Sequence, residues 1–325
     1  MTDTVLYPKK PYDFHLSAMI FASGDPWIRR YNRGIFRQVL EIGETPALVT
    51  VFSKGTTEKP RLHISVITQE PHSESMIRAA CTIVSSLFNL SEDLTPFYRA
   101  MKKDAVMAGL VRRLRGLKAP TTPTIFEALV DSVIEQQISL KAAHSIENRL
   151  IRATGTALTL DGNTYYGYPS PYNLEKTPDS TFRACGLTVR KGEYIREISR
   201  KILEGTLDLE RFKTFPDTEP IISELMKVRG IGRWTAELTI LRGLHRPDAF
   251  PADDVGVRRF ISNVYHNGEK ISPADARLFA HQWGDWKGFA AYYLEIADLM
   301  GFFRENKKTK PPDPESGILE RNKKP

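Results

Sequence analysis

Hydrophobic and polar residues follow a strand-like pattern in the first part of the chain. In residues 13–70 the apolar residues occur in short runs bounded by glycine, proline or charge, which is typical of β-strands. Three such runs occur at 15–21, 47–53 and 61–69. A polar and aromatic stretch, 24–37, separates the first two. Helical spacing appears at 73–90 and 96–110, so this part predicts a small α+β domain.

From residue 121 onward the pattern predicts helix after helix. Thr124 and Glu127 form a capping-box pattern ahead of apolar residues at helical spacing. A second helix should end at Gly155, and residues 156–175, rich in Gly, Tyr, Pro and Asn, predict a loop. Further helices are predicted at 179–185, 190–204, 219–228, 233–244, 255–264, 273–283 and 286–303.

Two segments with biased composition divide the chain. The basic run 111–118, followed by Pro120 and Pro123, predicts a linker, although a basic surface that faces a polyanion would have the same composition. A Lys- and Pro-rich end predicts a disordered tail. The predicted domains are therefore an α+β domain over 1–118, a helical domain over 119–304, and a basic tail over 305–325.

Composition narrows the class of protein. The 325 residues are 41% hydrophobic, which is enough for a large core, and the net charge of +7 suits a polyanionic partner. No apolar run reaches about 18 residues, and the N-terminus lacks the apolar centre of a signal peptide, so an intracellular protein without a membrane partner is expected. The two cysteines, Cys81 and Cys185, are expected to be buried, reduced thiols. They are too few for a disulfide scaffold or a thiolate-held metal cluster.

The segment 225–238 has the strongest indication of function. It predicts a helix, a tight turn containing Gly230 and Gly232, and a second helix. The first amides of that second helix would have no partner within the helix, which suits a DNA phosphate, and Arg229 and Arg233 flank the turn. An ordinary helical hairpin with a glycine cap would show the same turn.

The string V-R-G-I-G-R-W-T-A, followed by F-P-A-D-D-V-G-V at 250–257, resembles the helix–hairpin–helix base-excision DNA glycosylases. Over about residues 120–303 the chain is most similar to the 3-methyladenine DNA glycosylase II (AlkA-like) type. The resemblance implies a mainly α fold, a helix–hairpin–helix DNA glycosylase bundle with an N-terminal α+β domain containing an antiparallel sheet. It also implies a monomer that binds double-stranded DNA and excises damaged bases.

The resemblance assigns the catalytic carboxylate to Asp254, 24 positions after Gly230, with Asp253 as its competitor. Either aspartate would also serve as a cap for the helix that follows. Trp234 stands where strand-cleaving relatives carry a lysine that forms a Schiff base. The indole implies a monofunctional enzyme and a wall of the base pocket, although a core tryptophan is the alternative.

Two further positions follow from the same resemblance. Trp286 matches a second pocket aromatic, which could stack on a cationic alkylated purine, whereas Tyr292 and Tyr293 are expected in the core. Gln137 matches the residue that fills the gap left by a flipped base, and Gln136 competes for that role.

The family hairpin often holds a monovalent cation (Na⁺ or K⁺) through backbone carbonyls, which here would be those of Met226, Val228 and Ile231. No other cofactor is expected, and the iron–sulfur cluster of some relatives lacks its cysteines. An 8-oxoguanine-type glycosylase/lyase and a non-catalytic DNA-binding protein remain alternatives, and the preferred damaged base stays open.

Overall fold

Seven strands form two antiparallel sheets in the computed structural model, which describes residues 2–43, 45–69 and 73–303. Five of them form an N-terminal sheet in the order β1-β5-β4-β3-β2, and the other two form a separate hairpin. The strands are β1 (Thr2–Leu6), β2 (Arg29–Asn32), β3 (Ile35–Ile42), β4 (Thr45–Ser53), β5 (Leu62–Ile67), β6 (Ala157–Leu160) and β7 (Asn163–Tyr166).

Helices make up most of the remainder of the described chain, which confirms the mainly α fold with a small antiparallel sheet at its N-terminal end. Three 3₁₀ turns, Met19–Phe21, Glu210–Thr214 and His281–Trp286, accompany them. The α-helices are α1 (Phe14–Ala18), α2 (Glu74–Leu87), α3 (Thr95–Met101), α4 (Ala105–Arg113), α5 (Ile125–Glu135), α6 (Leu140–Thr154), α7 (Pro171–Lys176), α8 (Asp179–Cys185), α9 (Val189–Leu203), α10 (Thr218–Leu225), α11 (Arg233–Gly243), α12 (Val255–Tyr265), α13 (Pro273–Ala280) and α14 (Lys287–Leu299).

Side-chain caps set the start of most long helices. Ser139 begins α6, where its hydroxyl accepts from the amide of Ala142 at 3.3 Å. Thr124 begins α5 by accepting from the amide of Glu127 at 3.0 Å. The reciprocal half of the predicted capping box is wrong, because the Glu127 carboxylate pairs with Arg29 at 2.7 Å instead. That pair joins β2 to the helical part of the molecule.

Three large hydrophobic cores hold the elements together. One lies between the sheet and α2, and a second surrounds α5, with α6, α8, α9, α10 and α11 packed against it. The third combines α3 and α4 with α12, α13 and α14. Residues before and after the predicted boundary at 118/119 therefore share a core. The second and third cores lie on either side of the segment that contains the predicted site.

Three of the sequence predictions for local structure are wrong, and a fourth stretch has strands that its composition did not specify. Residues 15–21 form α1 and a 3₁₀ turn instead of a strand, and the stretch 24–37 contains β2 and the start of β3. The predicted linker 111–118 is the end of α4 and a buried turn, with Lys118 fully buried. The predicted loop 156–175 contains the β6–β7 hairpin and the start of α7. In each case, apolar side chains pack where the local composition indicates solvent exposure or another element.

Both cysteines are free, as expected, but only Cys185 is buried, while Cys81 is partly exposed. Across the described ranges, no helix is both long and apolar enough to cross a membrane. The predicted tail, 305–325, lies outside the described residues.

Candidate functional site

Asp254 and Trp234 are in direct contact. Asp254 is the N-cap of α12, and its Oδ1 accepts from the amide of Val257 at 3.0 Å. Its Oδ2 accepts from the indole Nε1 of Trp234 at 3.1 Å. Trp234 is the second residue of α11, so this hydrogen bond joins the starts of two helices. Because both oxygens are hydrogen-bonded and both side chains are partly exposed, the carboxylate has a fixed orientation at the molecular surface.

The segment before Asp254 explains why the carboxylate is held there. Phe250 and Ala252 are buried in the core that α14 also lines, at 1% and 0% exposure. The Asp254 amide donates to the carbonyl of Pro251 at 2.9 Å, which closes a tight turn. Two buried side chains thus anchor the turn on which the cap residue stands.

Asp253, the competing carboxylate, has different neighbours. It is exposed, and its Oδ2 lies 3.9 Å from a guanidinium nitrogen of Arg277. Arg277 is itself paired at 2.7 Å with the buried Glu237. Asp253 therefore belongs to an exposed ion-pair cluster, whereas Asp254 faces the indole.

The two hairpin glycines differ in what the fold requires of them. Gly230 has φ +86°, and a Cβ there would lie 2.3 Å from the ring of Tyr194, so the turn needs glycine. Gly232 has an ordinary extended φ of −93°, and a Cβ there would meet nothing within 4 Å. The sharp turn therefore needs glycine at position 230, while a close approach of a partner to Gly232 stays a prediction.

Gly232 is the exposed N-cap of α11 and supplies no side-chain cap. The first amides of α11, including those of Arg233 and Trp234, have no carbonyl partner within the helix. The positive end of the helix dipole adds to their attraction for an anion. This arrangement can bind a phosphate, as the sequence predicts.

Both hairpin arginines already have carboxylate partners. Arg229 lies 3.2 Å from Glu193 in an exposed pair. The guanidinium of Arg233 makes two bonds to Glu219, at 2.8 and 2.7 Å, and a third to Glu237 at 3.0 Å. Because two carboxylates neutralise Arg233, the structure favours Arg229 for any phosphate contact. The predicted roles of both residues in DNA binding remain predictions.

The carbonyls predicted to hold a monovalent cation all belong to the hairpin. Met226 is the C-cap of α10, and Val228 and Ile231 are buried in the turn. The Ile231 amide donates to the Val228 carbonyl at 3.1 Å, which leaves that oxygen one lone pair for a cation. These donors fit a weakly bound Na⁺ or K⁺ ion, so the cation site stays a prediction.

The predicted wedge, Gln137, lies at the tip of the turn between α5 and α6. It is exposed and has φ +59°. The side chain of Gln136 is held instead by the hairpin, since its Nε2 donates to the Gly230 carbonyl at 2.9 Å and to the Thr235 hydroxyl at 3.0 Å. The structure therefore favours Gln137 over Gln136 as the residue that could enter a duplex.

The second predicted pocket aromatic, Trp286, is partly exposed at the start of α14. Its ring centroid lies 5.6 Å from that of Phe97 and 5.8 Å from that of Phe289. None of its recorded ring contacts is with Trp234, so its place in the pocket stays a prediction. Tyr293 is a core residue as expected, since it is buried and donates to the Leu117 carbonyl at 2.8 Å. Tyr292 is only partly buried against the same core.

Sequence reasoning missed a charged cluster near Asp254. Arg242 on α11 pairs with Glu135 on α5 at 2.6 Å. Burial raises the pKa of Glu295 on α14 to about 7, Arg242 opposes that shift, and the charges of Asp254 and Glu135 add to it. The only indication in the sequence was charge on helix faces that are otherwise apolar. In the described part of the chain, no group of three or more His, Cys, Asp or Glu side chains is arranged to hold a metal ion.

Comparison with known proteins agrees with this geometry. The family described as "HhH-GPD superfamily base excision DNA repair protein" matches residues 130–284, which include the hairpin and Asp254. A DNA-3-methyladenine glycosylase of Bacillus subtilis is 30% identical over 266 residues, 81% of this chain and 86% of the relative. The chain therefore belongs to the helix–hairpin–helix superfamily of base-excision DNA repair proteins.

Two further relatives show the range of the superfamily. A 3-methyladenine DNA glycosylase from Archaeoglobus fulgidus has a similar structure, with a TM-score of 0.80 and 25% identity over 92% of this chain and 99% of that one. A probable N-glycosylase/DNA lyase of Methanothermobacter thermautotrophicus is 26% identical over 84% of this chain and 88% of its own length. Both glycosylase and DNA lyase thus appear in the names of similar proteins.

Proposed function

We propose that this protein is a monofunctional DNA glycosylase that excises damaged purines, alkylated or deaminated, by hydrolysing the N-glycosidic bond in double-stranded DNA. The observation that carries the proposal is the 3.1 Å hydrogen bond between Trp234 and Asp254. It joins a carboxylate to an indole at the start of α11, which supports a catalytic carboxylate next to an aromatic wall and a hairpin that binds phosphate.

The chemistry needs a fixed negative charge next to the sugar. As the glycosidic bond breaks, the deoxyribose becomes an oxocarbenium ion, and a nearby carboxylate stabilises it electrostatically. Asp254 suits this role because its two hydrogen bonds orient the carboxylate before the substrate binds. Its remaining lone pairs can orient the water that attacks the sugar.

Trp234 supports the monofunctional assignment. Strand cleavage by a glycosylase needs an amine that attacks the sugar carbon, and an indole nitrogen cannot form that Schiff base. The indole N–H is also occupied by Asp254. The protein would leave an intact strand with an abasic site.

The substrate class rests on the relatives and on the aromatic residues. Two similar proteins are named 3-methyladenine glycosylases. N-alkylation makes a purine cationic, and a cation over an indole gains about 0.5–2 kcal/mol. Trp234 and Trp286 would supply such faces, and damage also weakens the pairing that holds a base in the duplex. We propose that the protein binds DNA as a monomer and that a monovalent cation occupies the hairpin carbonyls.

A panel of duplexes, each with one damaged base, tests the proposal. We expect release of 3-methyladenine or another alkylated or deaminated purine, with strand breaks only after alkali or heat. Borohydride should trap no covalent protein–DNA adduct. A trapped adduct, or release of 8-oxoguanine alone, would favour the glycosylase/lyase alternative. Tight duplex binding without release of any base would favour a non-catalytic DNA-binding protein.

A further inference from the structure

The turn between α5 and α6 holds an exposed glutamine in an unfavourable backbone conformation. α5 ends at Glu135, and Gln136 leaves the helix with φ −51° and ψ 125°. Gln137 then has φ +59°, in the left-handed region that is unfavourable for a non-glycine residue. Such a turn keeps one conformation only if neighbouring groups hold it.

Lys191 holds the turn from one side. It is the third residue of α9, and its Nζ donates to the Ile134 carbonyl at 2.7 Å and to the Gln136 carbonyl at 2.6 Å. Carbonyls at the end of a helix lack intrahelical partners and carry partial negative charge, so a cation there is favourable. Partial burial lowers the pKa of the Lys191 ammonium. Because its donors already point at these carbonyls, Lys191 is poorly placed to bind a phosphate.

Gln136 holds the turn from the other side. Its Nε2 reaches the carbonyl of Gly230 at 2.9 Å and the hydroxyl of Thr235 at 3.0 Å, on the two sides of the hairpin tip. The same residue therefore accepts from α9 through its backbone and donates to the hairpin through its side chain. Within the described residues the side chain of Gln137 makes no recorded hydrogen bond. The Gln137 side chain is therefore free to enter a DNA duplex.

We infer that Lys191 and Gln136 are positioning residues that fix Gln137 at a set position relative to the hairpin. The inference rests on the proposed function, because it takes Gln137 as the group that fills the gap left by a flipped nucleotide. When the hairpin binds phosphates, the contacts of Lys191 and Gln136 determine how far the side chain of Gln137 extends into the duplex. Phosphate binding and gap filling are then coupled through the two hydrogen bonds of the Gln136 side chain, while the two from Lys191 fix the same turn to α9.

The test uses a duplex with a tetrahydrofuran site, the stable analogue of an abasic product, and 2-aminopurine opposite it. Fluorescence of the 2-aminopurine reports a side chain that enters the gap, and the signal requires no base excision. Lys191→Met keeps the aliphatic stem but removes the ammonium, and Lys191→Arg keeps a donor. Lys201→Met is the matched control, since Lys201 is also a partly exposed lysine of α9 and its ammonium has no hydrogen-bond or ion-pair partner among the described residues.

Lys191→Met should abolish most of the fluorescence change and slow excision roughly tenfold to hundredfold, the range expected for a misplaced group. Affinity for undamaged duplex should stay within about twofold, because no phosphate contact is lost. Lys191→Arg should restore most of both signals, and Lys201→Met should match the wild type. Gln136→Leu should reproduce the loss, which provides a second route if Lys191→Met folds poorly.

A double-mutant cycle that combines Lys191→Met with Gln137→Ala tests whether Lys191 acts through Gln137. Once Gln137 is removed, Lys191→Met should cost less than about twofold, because the group that it positions is gone. Equal losses with and without Gln137, or a wild-type response from Lys191→Met, would overturn the inference. It would also be overturned if the wild type gave no fluorescence change. A wild type that gives the change but excises no base would reject the proposed function alone.

Discussion

At the scale of single residues, the two neighbouring aspartates are separated by what their oxygens touch. Asp254 is bonded to the α12 amide and to the Trp234 indole, whereas Asp253 lies in an exposed cluster with Arg277. The cap uses Oδ1 of Asp254 and the indole contact uses Oδ2, so the predicted catalytic role is compatible with capping. The carboxylate that caps the helix can therefore also face the sugar.

Asp254→Asn should bind damaged duplex normally but lose excision by about 10²–10³-fold, the usual cost of removing an electrostatic group from a transition state. Asparagine is a good N-cap, so α12 should remain folded. The measurement is single-turnover base release together with duplex affinity. Asp253→Asn is the matched control and should cut normally. The assignment of the catalytic carboxylate to Asp254 would be wrong by one position if Asp253→Asn were inactive and Asp254→Asn active.

How well a contact between two residues could be predicted depended on how far apart they lie along the chain. The Trp234–Asp254 pair could be anticipated because the resemblance fixes both positions within one short segment. The Gln136 contacts join residues 94 and 99 positions apart, and the Glu135–Arg242 pair joins residues 107 apart. No local pattern marks such contacts, because they depend on how α5 packs against α11.

At the scale of elements, the two hairpin glycines differ in what the fold requires. The fold needs glycine at position 230, whereas position 232 has room for a side chain. Gly230→Ala should destabilise the protein, because the left-handed φ costs roughly 1–2 kcal/mol and the Cβ would meet the Tyr194 ring. Gly232→Ala should cost at most about 1 kcal/mol, from a weaker cap. A Cβ at position 232 would nevertheless stand where a phosphate must approach. Gly232→Ala should therefore lose DNA affinity while remaining folded.

Thermal unfolding and a salt titration of duplex binding test the predictions for Gly230→Ala and Gly232→Ala. The unfolding midpoint should fall more for Gly230→Ala, and duplex affinity should fall more than the stability loss can explain for Gly232→Ala. Wild-type affinity in Gly232→Ala would show that no phosphate approaches the start of α11. An affinity independent of salt would contradict phosphate binding altogether.

Two kinds of interaction explain the elements that sequence reasoning missed, a local helix cap and burial by tertiary contacts. Residues 15–21 alternate in polarity like a strand, but Asp13 caps a helix there by accepting from the Leu16 amide at 3.0 Å. The basic run 111–118 exposes its arginines but buries apolar residues three apart. Lys118 is buried because its ammonium donates to two backbone carbonyls at 3.0 Å. The composition of residues 111–118 indicates solvent exposure, whereas tertiary contacts bury Lys118 and the apolar side chains of this run.

At the scale of the whole molecule, a carboxyl partly buried between helices makes stability depend on pH. The pKa of Glu295 is raised to about 7 from an ordinary value of 4.5, chiefly by burial. Below pH 4.5 the side chain is neutral in both the folded and the unfolded state. Between pH 4.5 and 7 the folded state keeps a proton that the unfolded state releases, so this contribution to stability falls as pH rises. Above pH 7 the folded state must hold the charge.

Glu295→Gln removes the titration but keeps the side chain's size. Its unfolding midpoint should match the wild type near pH 4.5 and exceed it by a few degrees at pH 8, with the difference growing across the interval. Arg242 keeps Glu135 as a partner in the variant, so no cation is left unpaired. Glu269→Gln, at an exposed carboxyl, is the control for removing one negative charge. Thermal unfolding of the three proteins between pH 4.5 and 8 is the measurement. A difference that stays flat, or that shrinks as pH rises, would show that the pKa of Glu295 is not raised in the folded state.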